Sequence, residues 1–384
     1  MEHHYMDNAA TSFPKAPGVG QAMAHYIEKM GVNVGRGTYE QASEAGLVVL
    51  ETRQQLKTLF HFPGKVKNVI FTPGATYSLN QILRGYLKPG DHVVVSSLEH
   101  NAVMRPLMDL QPLGVTFSRI PADREGRTKA EDLLPLLREN TKLVLVNHAS
   151  NVSGTIFPLE EVARICRERG IPLAVDGAQT AGYLPIDFEK LGLSALSVPG
   201  HKGLLGPQGI GAMLLAPEFA RAMEPVTTGG TGSASDSEVQ PGYMPDRFES
   251  GTMNLPGIFG LHAALDYVLE QGVESVREHT KACTRQFLQG VQDLPVRVAG
   301  PGNPELQVGV VSLDFEGLDN AEVSFALEQK FGIQTRCGLH CAPNAHKTLQ
   351  TFPQGTVRFS FGHETSQEEV AYALKGIETI LKGR

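Results

Sequence analysis

Apolar residues along this chain fall into two alternating rhythms. From Val66 to about Leu215, short runs rich in β-branched residues recur between stretches whose apolar positions return every three or four residues. The runs at Val69–Phe71, His92–Ser96, Val115–Ile120, Leu143–Asn147, Leu173–Asp176, Ala195–Val198 and Ile210–Leu215 predict strands. The intervening segments, such as Leu159–Arg169, have helical spacing. This alternation predicts an α/β layer with a largely parallel sheet and helices on both faces. Ligands of such sheets sit beyond the carboxyl ends of the strands, so residues just after each strand matter most. The polar, Gly-rich stretch Gly229–Gly242 has no period and reads as a loop. Two long helices follow, from Gly257 to about Leu288. The pattern then changes: Val296–Ala299, Val308–Phe315, Ile333–Arg336 and Val357–Phe361 predict strands, and Ala321–Phe331 and Gln367–Leu381 helices. A smaller α+β unit packed on the first is expected there.

Composition adds exclusions. The 384 residues exceed what one compact core usually holds. A net charge of −7 argues against nucleic acid or an anionic membrane surface as the main partner. No uninterrupted apolar stretch is long enough to cross a bilayer, and the first residues, Met1 to Tyr5, lack a basic flank and an apolar segment. A cytoplasmic location is the resulting expectation. Of the four cysteines, Cys166 and Cys283 fall in helical apolar patterns and read as packing residues. Cys337 and Cys341 stand instead among Gly, Pro and His, where a reactive thiol is usually found.

Three strand ends carry chemistry. Asp176, in Ala174-Val175-Asp176-Gly177-Ala178-Gln179, ends a buried apolar strand, which is costly without a partner. It suits either a helix cap or a carboxylate facing a cationic ring nitrogen. Lys202, in Pro199-Gly200-His201-Lys202-Gly203, follows the next strand in an otherwise uncharged, Gly-rich run. Desolvation there would lower its pKa and favour Schiff-base chemistry. Phe71-Thr72-Pro73-Gly74-Ala75-Thr76 runs from a strand into a helix N-terminus, a natural phosphate site. An Asp, a Lys and a phosphate cradle are what pyridoxal 5'-phosphate requires of a protein.

With these segments in view, the whole chain resembles class V aminotransferase-type enzymes of pyridoxal-phosphate fold type I. More narrowly, it is similar to the SUF-type (group II) cysteine desulfurases and selenocysteine lyases. The resemblance rests on MDNAATS at 6–12, NVGRGTYEQASEA at 33–45, FTPGATYSLN at 71–80, SSLEHNAV at 96–103 and NHASNVSGT at 147–155. It continues through AVDGAQTAG at 174–182, PGHKGLLGPQGIG at 199–211, RFESGTMN at 247–254, TRCGLHCAP at 335–343 and VRFSFG at 357–362. Their order and spacing are jointly specific. The resemblance implies a mostly parallel seven-stranded sheet sandwiched by helices in a large cofactor-binding domain over 15–258. It implies a small domain from 1–14 with 259–384.

It also implies roles. Lys202 would form the Schiff base and take the substrate Cα proton, Asp176 would hold the pyridine nitrogen protonated, and Gln179 would contact the ring hydroxyl. His100 would stack on the ring and move protons, and Asn151 would sit beside the ring hydroxyl and the substrate. Gly74, Ala75, Thr76 and His201 would hold the phosphate, joined by Thr252 from a partner subunit, which makes a homodimer with shared sites the expected state. Arg358 would clamp the substrate carboxylate, with Asn33 and Ala10 also assigned to the substrate. Cys341 would receive sulfur from L-cysteine as a persulfide, leaving alanine, for delivery to an acceptor protein. Arg336 and His340 would favour its thiolate.

Four positions depart from the family pattern. Pro199 stands where a phosphate-touching Ser is usual, Cys337 is an extra thiol, and Leu339 replaces the first His of a His-His-Cys run. His363-Glu364-Thr365-Ser366 replaces an Asn-Thr pair, with Ser366 still able to cap a helix. Competing readings are a zinc module built on Cys337, His340, Cys341 and His346, which matches no standard paired spacing, and a same-fold transaminase or C–S lyase with Cys341 incidental. A dinucleotide site at Gly203–Gly211 lacks the strand–turn–helix setting. Cysteine and selenocysteine are not separated by these residues, nor are iron–sulfur assembly and selenium metabolism as destinations. No resident metal is expected.

Overall fold

The computed structural model describes residues 3–35 and 37–383; Met1, Glu2, Arg384 and Arg36 (inside the 33–45 motif) lie outside the described residues. In chain order it begins with β1 (His4–Tyr5), α1 (Val19–His25), α2 (Glu40–Leu59), β2 (Val69–Thr72), α3 (Ala75–Tyr86) and β3 (His92–Ser96). There follow α4 (Asn101–Leu110), β4 (Thr116–Ile120), β5 (Thr141–Asn147), α5 (Leu159–Arg169), β6 (Leu173–Asp176), α6 (Phe188–Leu191), β7 (Ala195–Pro199) and β8 (Gly211–Leu215). Next come α7 (Pro217–Ala222), α8 (Leu255–Gln271), α9 (Val273–Val291), β9 (Arg297–Val298), β10 (Val310–Asp314) and α10 (Asn320–Phe331). The chain ends through β11 (Ile333–Gln334), β12 (Arg336–Gly338), α11 (Pro343–Thr348), β13 (Thr356–Ser360) and α12 (Gln367–Lys382).

The seven apolar runs form one sheet in the order β2-β8-β7-β6-β5-β3-β4. Only β8 runs against its neighbours; all other pairs are parallel. Alternate residues feed two cores, because successive side chains of a strand point to opposite faces. Val94, Val144, Val146, Val175 and Leu196 join one cluster, under α2, α5 and α8. Val93, Val95, Leu143, Leu145 and Ala174 join the other, under α3 and α4. Burial of each Val or Leu on both faces contributes roughly 1.5–3 kcal/mol, which explains why these strands read as continuous apolar runs. The α/β expectation with a mostly parallel seven-stranded sheet is met.

A second, antiparallel sheet has the order β12-β13-β10-β9. It packs on α9 and α12 through Phe287, Phe359, Phe361 and Ile377, with Phe287 and Phe359 ring centroids 4.8 Å apart. Strand β1 pairs with β11 in parallel, so the chain start is built into this C-terminal unit. The division expected at 258–259 falls within α8, which packs on α1 and α2. The single strand expected over Ile333–Arg336 is two, because the chain leaves β1 at Gln334 and joins β13 at Arg336. Among the described residues no helix is long and apolar enough to cross a membrane. Cys166 and Cys283 are buried, and burial pushes their thiols up to about 12 and about 11.

Candidate active site

The carboxyl ends of five parallel strands open on one cavity of about 640 Å³. The turns after β2, β3, β5, β6 and β7 bring to it Gly74, Ala75, Thr76, His100, Asn151, Asp176, Gln179, His201 and Lys202, nine positions singled out by sequence. Topology gathers what the chain separates.

At the end of β6, Asp176 is buried, and its Oδ1 accepts the Ala178 N–H at 2.9 Å. Oδ2 has no hydrogen-bond partner among the described residues. Desolvation raises the carboxyl above its ordinary value, while the Ala178 N–H and Lys202 hold it down in part. Lys202, after β7, is half-buried on the cavity wall, and its Nζ makes no hydrogen bond or ion pair among the described residues. Desolvation lowers its pKa to about 8, against the opposing pull of Asp176. Gly203 locks this turn in place: a Cβ there would lie 2.2 Å from the Ala181 carbonyl oxygen and 2.7 Å from the Tyr183 ring.

His100 caps α4, its Nδ1 accepting the Ala102 N–H at 3.0 Å. Desolvation, with Lys202 and two arginines, lowers its pKa to about 4. The imidazole is therefore neutral near pH 7, with its proton on Nε2. His201 is likewise neutral, lowered to about 4 chiefly by desolvation, and shares a 3.1 Å hydrogen bond with Thr11. Gln179 donates to the Ala9 carbonyl at 3.1 Å. Asn151 donates from Nδ2 to the His340 carbonyl at 2.6 Å, and its Oδ1 is buried without a partner. Gly74, φ 153°, precedes helix α3 without a side-chain cap, and the Ala75 and Thr76 N–H groups have no partner among the described residues. Free N–H groups at a positive helix end suit a phosphate.

The other candidates lie outside the cavity lining. Cys341 is exposed on the β12–α11 turn, where His340 and Cys341 adopt φ of 47° and 58°. Two consecutive side-chain-bearing residues in the left-handed region each cost about 1–2 kcal/mol, so the turn is held by its surroundings. Two ties do this: the Asn101 N–H donates to the Cys341 carbonyl at 2.8 Å, and Asn151 holds the His340 carbonyl. Asn151 lines the cavity, and Asn101 sits between two residues that do, His100 and Ala102. His340 cannot support the thiolate as expected, because burial lowers it to about 2 and it stays neutral, bonded to Thr356 at 3.2 Å. Arg336 is a charged neighbour within electrostatic reach of Cys341. Cys337 opposes Val357 whereas Arg336 opposes Arg358, so Cys337 stands on the other face of the strand.

Arg358 is 2% exposed and already engaged: Nη2 donates to Asp7 Oδ1 at 2.9 Å and Nη1 to the Asn151 carbonyl at 3.0 Å. Thr252 is exposed and lines a separate cavity of about 250 Å³ that shares Pro73 and Tyr77 with the first. Asn33 is exposed, and Ala10 follows the Ala9 carbonyl that Gln179 holds. Sequence reasoning gave no role to Asp7, although the 6–12 motif contains it, nor to Glu99. Glu99 is buried beside His100, raised to about 8 by desolvation, with Oε2 unpartnered.

The model of the class-V aminotransferases matches residues 4–372. The chain belongs to the class-V aminotransferase family. Among curated members, it is 30% identical to a "Probable cysteine desulfurase" of Methanothermobacter thermautotrophicus, over 99% of this chain and 95% of that one. It is 32% identical to a protein of the same description from Pyrococcus abyssi, over 98% and 94%. The apo structure of a cysteine desulfurase from Thermococcus onnurineus superposes with a TM-score of 0.93 at 32% identity, covering 100% of this chain and 95% of that one. For a class-V aminotransferase chain, the free groups of the cavity form a coherent set. They are a carboxylate oxygen, an amine, an amide oxygen and an uncapped helix end.

Proposed function

We propose that this protein is a pyridoxal-phosphate-dependent cysteine desulfurase that converts L-cysteine to L-alanine and carries the sulfur on Cys341. The observation that supports it most is the tethering of the Cys341 turn to cavity-lining Asn151 and to Asn101, the residue between cavity-lining His100 and Ala102. A transaminase has no need of a thiol held there. The free groups of the cavity fit the cofactor: Ala75 and Thr76 N–H with His201 for its phosphate, Asp176 Oδ2 for a ring cation, Asn151 and Gln179 for its hydroxyl, Lys202 for its carbonyl carbon. When bound, pyridoxal phosphate supplies a sink for the electron pair left at the substrate Cα.

The side chains then divide the work. Lys202, with its pKa near 8, carries an appreciable neutral fraction near neutral pH and takes the Cα proton. Asp176 holds a cation opposite its carboxylate in a site too dry for an unpaired charge. The neutral His100 offers an Nε2–H on the cavity side of α4 and can return a proton. The Cys341 thiolate attacks the substrate sulfur: the S–S bond forms as the Cβ–S bond breaks, the pair left on carbon is protonated, and alanine departs. Cys341 is left as a persulfide, which a thiol of a small acceptor protein can take up. A second copy of the chain brings Thr252 to the phosphate, and the cytoplasm is the setting in which four unpaired thiols stay reduced.

The test is alanine yield under reductant with wild type and Cys341→Ala side by side. Cys341→Ala loses at least about a hundredfold on L-cysteine while the visible absorbance of bound cofactor is unchanged. Retention of activity on L-selenocysteine alone in that variant marks selenide release that needs no thiol. Full activity of Cys341→Ala on L-cysteine overturns the role of Cys341 and leaves a general lyase or transaminase.

A further inference from the structure

A buried guanidinium needs a counter-charge, and this one finds it at the far end of the chain. Arg336 and Arg358 are directly opposed across β12 and β13, so two like charges stand on one sheet face. Asp7 lies between them. Arg336 donates from Nε and Nη2 to Asp7 Oδ2 at 2.9 and 2.8 Å, and Arg358 donates from Nη2 to Oδ1 at 2.9 Å. The backbone beside Asp7 is pinned on both sides, with the Met6 N–H on the Gln334 carbonyl and the Ser360 N–H on the Met6 carbonyl. The Asn151 carbonyl takes Arg358 Nη1, leaving Nε buried and without a partner. Two guanidiniums and one carboxylate leave one positive charge. Asn151, whose carbonyl holds Arg358, lines the same cavity as Lys202, and Arg358, Asp7 and Arg336 each act electrostatically on Lys202.

We propose that Asp7 is the positioning residue of the substrate-carboxylate site: it fixes Arg358 with Nε as the spare donor and trims the cluster to one charge, matched to an amino acid with one carboxylate. This rests on the desulfurase reading for the identity of that amino acid. Two effects oppose each other when Asp7 is neutralised. The site gains charge, which attracts anions, but Arg336 is half-exposed and its extra charge is screened. Arg358 loses the carboxylate that orients it, and a well-placed hydrogen bond to a charged group is the larger quantity. Weaker carboxylate binding therefore wins.

The experiment measures binding of L-alanine, and of ethylamine as its carboxylate-free counterpart, to the cofactor-loaded wild type, Asp7→Asn and Asp7→Glu. Asp7→Asn weakens L-alanine about tenfold or more and leaves ethylamine unchanged, with KM for L-cysteine rising while kcat holds. Asp7→Glu, which keeps the charge at a longer reach, falls between the two, and it decides the matter if Asp7→Asn does not fold. Unchanged L-alanine affinity in the variants overturns the proposal, and so does an equal loss for both ligands. A wild type that prefers L-alanine to ethylamine yet forms no alanine from L-cysteine removes the desulfurase reading and leaves this one standing.

Discussion

Lys202 shows most clearly what desolvation does to a residue at this site. Its folded pKa of about 8 lies below the 10.5 of an exposed lysine. The folded state thus binds fewer protons than the unfolded chain between those values, and stability rises with pH across that window. Below pH 8 the penalty for holding the ammonium in the cavity wall is fully present. Cofactor-free Lys202→Met is expected to melt higher than cofactor-free wild type at pH 7, with the gap closing as pH approaches 10.5. Scanning calorimetry at several pH values checks this, and a gap independent of pH removes the desolvation argument. The gathering of Asp176, Lys202 and Gly74 at one cavity was legible because each is an unusual residue in a strongly patterned place. The state of His340 was not: a histidine beside a cysteine reads as a cation until the fold shows it buried against Thr356. Cys337 was equally opaque, since its face depends on a register that pairs it with Val357.

Helix ends separate structural from functional elements. Helix α12 begins with a complete capping box, Ser366 Oγ accepting the Glu369 N–H at 3.1 Å and the Glu369 carboxylate accepting the Ser366 N–H at 2.9 Å. Ser366→Ala is expected to cost about 1 kcal/mol, read from urea midpoints, with no change in kcat. Helix α3, in contrast, leaves its first N–H groups free on the cavity. The turn between β7 and β8 is fixed differently, by backbone contact. Gly203→Ala forces a Cβ into the Ala181 carbonyl, and overpacking of this kind costs about 1–3 kcal/mol. Its expected signature is a lower melting temperature together with weakened cofactor retention, since Lys202 is the adjacent residue. The large sheet was readable strand by strand because burial on both faces makes its strands continuous apolar runs. The small sheet was less so: nothing in Ile333–Arg336 announces that two residues serve β1 and the next serve β13.

At the scale of the molecule, Thr252 raises the question of which chain completes which site. It is exposed, outside its own cavity, and on a wall shared through Pro73 and Tyr77. If a second copy supplies it, Thr252→Glu and Lys202→Ala damage different sites of a mixed dimer. Refolding the two variants together then restores about a quarter of wild-type sites, because half of random dimers are mixed and each has one intact site. No recovery on mixing argues that Thr252 acts within its own chain or not at all.

The ion pair between Asp7 and Arg358 spans 351 positions of sequence, and that separation sets an order of events during translation. The ribosome releases the residues of the large sheet long before β13, and domains generally fold as they emerge. A nascent chain can therefore present the uncapped start of α3 and Lys202 while Asp7 still waits for its arginines. On the proposed reading, cofactor capture can precede the end of synthesis, but recognition of an amino-acid carboxylate cannot. On that reading, a message truncated after β8 but before Arg358 would yield a chain with the residues of the cavity but no completed clamp for the substrate carboxylate.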